Sequence, residues 1–229
     1  LIMKDIVKGK RILVTGTSSG IGLETARVLS EQGAEVLGVD VNKCFDHVDE
    51  FYRADLSDPR TIDALIDVLP EDIDGLVNNA GLPPTQPANK LLQVNWLGLK
   101  RLTHGIVPKL ADGASIVNVA SLAGLKASGN NISYVASKFA VVGMTKAAAL
   151  EYAKKNIRIN AVCPGYTDTN MLRQLLEVKP EIEDKLKNHI PMGRFGKATE
   201  VATAIAWLAS DQTQFMTGQT LSLDGGTSL

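Results

Sequence analysis

Apolar residues recur along this chain in two alternating patterns. Short continuous runs are separated by longer stretches in which every third or fourth residue is apolar. The short runs, rich in Val, Ile and Leu, read as strands buried on both faces. They fall at residues 11–15, 35–40, 51–55, 73–78, 115–120, 157–162 and 220–223. After Gly22, residues Leu23, Ala26, Val28 and Leu29 follow helical spacing up to a stop at Gly33. Asp58 is placed to cap a helix that begins at Pro59 and runs through Leu69. Further helices are expected from about Lys90 to Leu110, from about Ser133 to Asn156, and as a helical pair from Thr199 to Ala209. Strands alternating with helices predict an α/β fold: a doubly wound parallel sheet with helices on both faces and right-handed crossovers. No internal repeat, low-complexity tract or linker breaks the pattern, so residues 1–229 read as a single domain.

Composition narrows the function classes. The chain is 45% hydrophobic and 21% charged, with aromatics at 5% and 20 glycines, so the core is expected to be built from Val, Ile, Leu and Ala. A net charge of -1 with no long basic run gives no electrostatic footprint for nucleic acid. No apolar stretch approaches the ~20 residues needed to cross a bilayer, so no membrane partner is expected. The first residues lack the apolar core of a secretory signal, and a cytoplasmic protein is expected. Cys44 and Cys163 read as free thiols. His47, His104 and His189 are scattered without metal-ligand spacing, and no metal is expected.

Two clusters carry chemistry. Gly16, Gly20 and Gly22 occupy the first strand-to-helix turn, where a tight bend must bring backbone N–H groups and the positive end of a helix to an anion. A pyrophosphate suits that site. The spacing is G-x-x-x-G-x-G, and a packing origin for the glycines stays open at this point. Asp40 ends the second strand, 18 residues beyond Gly22. It can either cap the strand end or accept hydrogen bonds from ribose hydroxyls and repel a 2′-phosphate. No arginine lies beside it and Ser19 precedes Gly20, which favours NAD over NADP, although Lys43 is near in sequence.

The second cluster is Tyr134 and Lys138, four residues apart, with Ser121 thirteen residues before the tyrosine. Residues i and i+4 share a helix face, so the ammonium can sit beside the phenol. A nearby cation favours the phenolate and is expected to lower the tyrosine pKa toward neutrality, making Tyr134 a candidate general acid/base.

Taken together these residues resemble the short-chain dehydrogenase/reductase family over almost the full chain, which implies a Rossmann-type sheet. Thr15-Gly16-Thr17-Ser18-Ser19-Gly20-Ile21-Gly22 is similar to that family's T-G-x-x-x-G-I-G loop, and Asn78-Asn79-Ala80-Gly81 to its N-N-A-G segment. Asn95, Ser121, Tyr134 and Lys138 match its four catalytic positions. Pro164-Gly165-Tyr166-Thr167-Asp168-Thr169 resembles the turn that holds a nicotinamide, and Asp224-Gly225-Gly226 the common ending. The resemblance implies an oxidoreductase in which Tyr134 exchanges a proton with a secondary alcohol or carbonyl. Lys138 supports the phenolate and the nicotinamide ribose, Ser121 orients the substrate oxygen, and Asn95 holds a water linking Lys138 to solvent. The implied NAD site comprises Gly16, Ser18, Ser19, Gly20, Ile21, Gly22, Asp40, Asp55, Leu56, Asn78, Ala80, Gly81, Tyr134, Lys138, Pro164, Gly165, Thr167 and Thr169. Local readings stay open for several: Ser121 as a strand-end cap, Asn95 bonded to helix backbone, Asp55 as a turn residue.

Departures from the family pattern concern the substrate. About ten residues follow Asp40 before the third strand, so the usual helix there is reduced or lost. Asn95 follows Gly81 by only 14 positions, with Pro83, Pro84 and Pro87 between them. The phrase Ala54-Asp55-Leu56-Ser57 and the shortened Ala80-Gly81-Leu82-Pro83 stretch look like the bacterial 3α-hydroxysteroid dehydrogenase/carbonyl reductase subgroup, and coniferyl-alcohol dehydrogenases share a similar plan. A lid over the substrate is expected at about 168–195, with an apolar stripe at Met171, Leu172, Leu175 and Leu176 that either faces a bulky apolar alcohol or packs on the core. Arg173 or Arg194 could instead bind a carboxylate, leaving a hydroxy-acid substrate open, and a non-catalytic NAD-binding regulator is the alternative from another class. The resemblance implies a homodimer or homotetramer, and small residues along the Tyr134 helix (Ala136, Ala140, Gly143, Ala147, Ala148) would permit close helix contact.

Overall fold

The computed structural model describes residues 5–129 and 131–229. Seven parallel strands form the sheet: β1 (Arg11–Thr15), β2 (Glu35–Asp40), β3 (Glu50–Arg53), β4 (Ile73–Asn78), β5 (Leu110–Val119), β6 (Arg158–Pro164) and β9 (Thr220–Leu223). Their spatial order is β3-β2-β1-β4-β5-β6-β9. The chain winds outward from β1 through β2 to β3, then returns to the other side of β1 at β4. That reversal leaves a crevice at the C-terminal ends of β1 and β4, the usual ligand position in open α/β sheets. A separate pair, β7 (Thr167–Asp168) and β8 (Gly196–Lys197), closes the segment between β6 and the last helix.

Strand alternation sends side chains to two cores. Leu13 joins a layer with Ile62, Leu65, Leu102, Ile106 and Ala148, contributed by α2 (Pro59–Val68), α4 (Leu99–Ile106) and α5 (Ile132–Tyr152). Ile12 and Val14 point the other way, to Ala26, Leu29, Val201 and Ile205 of α1 (Gly20–Glu31) and α8 (Ala198–Ala209). Asp58 accepts from the Arg60 N–H at 2.9 Å as the expected N-cap, with Pro59 in the first turn. Among the described residues no helix is long and apolar enough to cross a membrane.

Two expectations are corrected. The helix expected from Lys90 to Leu110 is three pieces: α3 (Ala88–Leu92), a π-helical turn (Gln93–Gly98) and α4. Pro108 supplies no N–H to continue it, and β5 begins at Leu110. At the end of the π-helical turn the chain is packed tightly: a Cβ on Gly98 would collide with the Leu56 carbonyl oxygen. Residues 199–209 form one helix and not a pair. The segment after Asp40 has no helix before β3, in keeping with its shortness; Phe45 packs edge-on against Phe51 there, ring centroids 5.6 Å apart.

Candidate active site

A cleft of about 1240 Å³ runs along the C-terminal ends of β1, β2, β4, β5 and β6. At one end stands the glycine loop. Gly16 adopts φ +78° and donates its N–H to Val39 at 2.7 Å. Gly22 is packed so closely that a Cβ would collide with the Gly16 carbonyl oxygen. No side chain caps α1 at Ser19, so its first-turn N–H groups are free to face an anion. The loop is tied to the end of β4: Asn79 Nδ2 donates to the carbonyls of Thr15 (3.0 Å) and Gly16 (3.2 Å), and Thr15 Oγ1 accepts from the N–H groups of Asn79 and Ala80, each at 3.0 Å. The Asp40 carboxylate accepts from the N–H groups of Ser18 (3.0 Å) and Asn42 (2.9 Å), so an acid sits against the loop itself. Asp55 lines the cleft beside Leu56, and one of its carboxylate oxygens accepts from Ser57 N–H at 2.8 Å.

In the middle of the cleft, β5 delivers Ser121 and α5 delivers Tyr134 and Lys138. Ser121 Oγ accepts from Ala123 N–H at 3.1 Å, capping the short turn after β5 while still lining the cleft. Lys138 is buried, its Nζ donating to the Val119 carbonyl at 3.1 Å and lying 5.7 Å from the centre of the Tyr134 ring. Burial pushes its pKa down to about 8. The Tyr134 pKa is raised, not lowered as the spacing suggests: burial of the phenol outweighs hydrogen bonding from Ser121, and the ammonium lies over the ring instead of bonding the hydroxyl. Cys163, buried behind this group, has its thiol pushed up to about 11 by burial.

Asn95 is set in the π-helical turn and is 1% exposed. Its Oδ1 accepts from Leu82 N–H at 2.7 Å and its Nδ2 donates back to the Leu82 carbonyl at 3.1 Å. It stands behind the cleft wall, not on it. Gly81 lies between Asn95 and Lys138: a Cβ there would be 3.5 Å from Asn95 Oδ1 and 3.6 Å from Lys138 Nζ.

The cleft brings together Gly16, Ser18, Ser19, Gly20, Ile21, Asp40, Asp55, Leu56, Ala80, Gly81, Ser121, Tyr134, Lys138, Pro164, Gly165, Thr167 and Thr169. Two expected cofactor residues fall outside its lining. Gly22 packs against the loop backbone, and Asn78 turns beneath the sheet, its Nδ2 donating to Thr103 Oγ1 (3.0 Å) and Asn118 Oδ1 (2.8 Å). Asn79 takes the place beside the cleft, and strand alternation past the end of β4 is the signal that separates the two. Arg173 is paired with Asp168 at 2.7 Å and Arg194 with Glu200 at 2.7 Å, and neither lines the cleft. Among the described residues no group of three or more His, Cys, Asp or Glu side chains is placed to hold a metal ion.

Comparison with known proteins agrees with this geometry. A family model described as Enoyl-(Acyl carrier protein) reductase matches residues 16–228. The chain is 35% identical to the 3-oxoacyl-(acyl-carrier-protein) reductase FabG of Thermotoga maritima, covering 96% of this chain and 98% of that one. It is 36% identical to coniferyl-alcohol dehydrogenase of a Pseudomonas species, over 95% and 96% of the two chains. Among solved structures, a 3-ketoacyl-(acyl-carrier-protein) reductase from Brucella melitensis complexed with NADH superposes with a TM-score of 0.86 at 30% identity, covering 97% of this chain and 100% of that one. Matches of this extent, over a sheet of this order, place the chain in the short-chain dehydrogenase/reductase family, oxidoreductases that act on CH–OH donors with a nicotinamide cofactor.

Proposed function

We propose that the protein is an NAD(H)-dependent oxidoreductase that interconverts a secondary alcohol and a ketone, with Tyr134 as general acid/base. One observation carries the reading: the hydroxyls of Ser121 and Tyr134 line one cleft with the buried Lys138 ammonium behind them. A bound nicotinamide cofactor supplies the hydride donor or acceptor for such a reaction. The chain's residues fit that group, with the uncapped start of α1 behind the glycine loop for the pyrophosphate and Pro164, Gly165, Thr167 and Thr169 on the nicotinamide side. Within this arrangement Tyr134 takes the alcohol proton at its hydroxyl oxygen during oxidation and returns it during reduction. Ser121 holds the substrate oxygen in place, Lys138 favours the phenolate, and Asn95 fixes the Gly81–Leu82 wall beside that ammonium.

Two features support NAD over NADP. The Asp40 carboxylate would face a 2′-phosphate, and no arginine lines the cleft among the described residues. Lys43 does not line the cleft, and its Nζ lies 5.0 Å from the centre of the Phe45 ring. On the substrate side Leu82, Pro83 and Pro84 face Met171, Leu172, Leu175 and Val178, which supports a bulky apolar alcohol, steroid-like or aromatic. Arg173 and Arg194 pair with Asp168 and Glu200 outside the cleft lining, which supports the apolar alcohol over the hydroxy acid. Helix α5 leaves Phe139 (44%) and Leu150 (83%) exposed on one side of Gly143, which supports a homodimer or homotetramer.

The test is an NAD-reduction screen over steroid, aromatic and hydroxy-acid alcohols, with NADP in parallel and Tyr134→Phe alongside. Loss of roughly a hundredfold or more in turnover with cofactor binding retained is expected of that variant. Full activity in it, or cofactor binding without turnover of any substrate, overturns the catalytic reading.

A further inference from the structure

The last six residues do more than end the chain. Strand β9 stops at Leu223, whose carbonyl accepts from Gly165 N–H at 3.0 Å. The next residue, Asp224, lies so close to Gly165 that a Cβ there would be 2.8 Å from Asp224 Cβ and 2.9 Å from its Cα. Asp224 then folds the ending into a tight turn. Its carboxylate accepts from the N–H groups of Gly226 and Ser228, each at 2.9 Å, and its carbonyl accepts from Thr227 Oγ1 at 2.6 Å. Thr227 is 5% exposed and lines the cleft.

The opposite side of this turn meets the exit of the segment that covers the substrate side of the cleft. Gly225 and Gly226 adopt φ +63° and +91°. A Cβ on Gly225 would lie 2.7 Å from Ile190 Cγ2, and one on Gly226 would lie 3.2 Å from Pro191 Cβ. The Met192 N–H donates to the Gly225 carbonyl at 3.1 Å, and Ile190 is buried. The covering segment itself is held far less. Of α6 (Asn170–Val178) and α7 (Glu183–His189), Leu172 is the one buried residue, while Met171, Leu175 and Val178 face the cleft from exposed positions. An element with few buried contacts opens at low free-energy cost, and where it opens is decided by which end is fastened.

We propose that the turn at 224–228 is a positioning element for the lid. It clamps residues 190–192 to the wall formed by Pro164 and Gly165, so opening is confined to the Thr169 end and the apolar lid face returns to a fixed place over the cleft. Gly225 and Gly226 are the positioning residues: at their positive φ values the missing Cβ lets the two chain segments touch. This rests on the reading of residues 168–195 as the substrate lid.

Gly225→Ala tests it. The new Cβ must displace Ile190, so the KM for the alcohol is expected to rise about tenfold while the NADH dissociation constant stays within about twofold. Trypsin is expected to cut the variant faster at Arg173, Lys185 or Lys187, all within the lid. Adding Ile190→Ala removes the atom that the new Cβ meets, and the double variant should recover part of the loss relative to Ile190→Ala alone. Wild-type KM and wild-type cleavage in Gly225→Ala overturn the clamp. Faster lid cleavage with an unchanged KM upholds the clamp and overturns the lid as a substrate element. Should Gly225→Ala fail to fold, Gly226→Ala, whose Cβ meets Pro191 less severely, carries the same expectations and the same refutations.

Discussion

The ammonium of Lys138 donates to the Val119 carbonyl at 3.1 Å, its one protein hydrogen bond among the described residues, and only 6% of the residue is exposed. A cation held by one neutral acceptor is unfavourable to the fold, which is why burial drives its pKa from 10.5 down to about 8. The sign follows from proton binding. Between about 8 and 10.5 the unfolded chain binds the proton more tightly than the folded one, so stability rises with pH through that window. Below it the penalty is full, on the order of 3 kcal/mol. Lys138→Met is therefore expected to raise the melting temperature at pH 7 by about 5 °C while abolishing turnover. The gain should shrink as the melts are repeated toward pH 10. A lower melting temperature at pH 7 would show that the ammonium has stabilising partners in solution.

Tyr134 titrates in the opposite sense to what its lysine neighbour suggests. Burial raises its pKa above the ordinary 10.0, with Ser121 only partly opposing the rise. In the cofactor-free protein the phenol should stay protonated up to pH 10, read as the ultraviolet difference between wild type and Tyr134→Phe across an alkaline titration. Phenolate absorbance appearing near neutral pH without cofactor would contradict this. Lowering for catalysis would come from the Lys138 ammonium together with the positive charge that an oxidised nicotinamide would bring beside the phenol.

Asp40 has two duties that one substitution separates from the rest of the site. It receives the N–H groups of Ser18 and Asn42, and it presents negative charge at the end of β2. Asp40→Ser removes the charge and weakens the hold on the loop. The kcat/KM with NAD is expected to fall about tenfold to a hundredfold, since hydrogen bonds to charged groups contribute roughly 1.5–3 kcal/mol each. The ratio of NADP to NAD efficiency should rise at the same time. Parallel initial-rate series with both cofactors check it, and an unchanged ratio would remove Asp40 as the discriminating residue.

Much of this was legible in the sequence because buried parallel strands write themselves as continuous apolar runs. β1, β2 and β4 begin and end where the runs do. The division of the helix at 90–110 was not: apolar periodicity does not announce a π-helical turn, nor the approach of the distant Leu56 carbonyl to Gly98 beside it. The site was legible as a set of residues and less so as geometry. Two adjacent asparagines look equivalent in a motif, yet Asn78 enters a buried network with Thr103 and Asn118 while Asn79 ties down the glycine loop. Spacing placed Lys138 beside Tyr134 but carried no information on burial, which sets the sign of the tyrosine shift. Arg173 and Arg194 looked free until their partners Asp168 and Glu200 folded back on them.

Arg158 offers a prediction about stability that is independent of the chemistry. It starts β6 and is 7% exposed. Its Nη1 donates to the Leu208 carbonyl (3.1 Å) and Thr213 Oγ1 (2.7 Å), and its Nη2 donates to the Ser210 carbonyl (3.0 Å). One planar guanidinium thus satisfies the end of α8 and the turn after it, binding that helix to the sheet. Lysine keeps the charge but cannot span acceptors in this forked arrangement. Arg158→Lys is expected to lower the unfolding free energy by about 2–4 kcal/mol, because one ammonium cannot keep all three of the buried charge-assisted hydrogen bonds that the guanidinium makes. The measurement is a urea midpoint at constant m-value, with Arg101→Lys as the control. Arg101 pairs with Asp63 at the surface, where solvent screens the pair and a much smaller loss is expected. Equal losses in the two variants would mean that the buried fork contributes no more than an exposed ion pair.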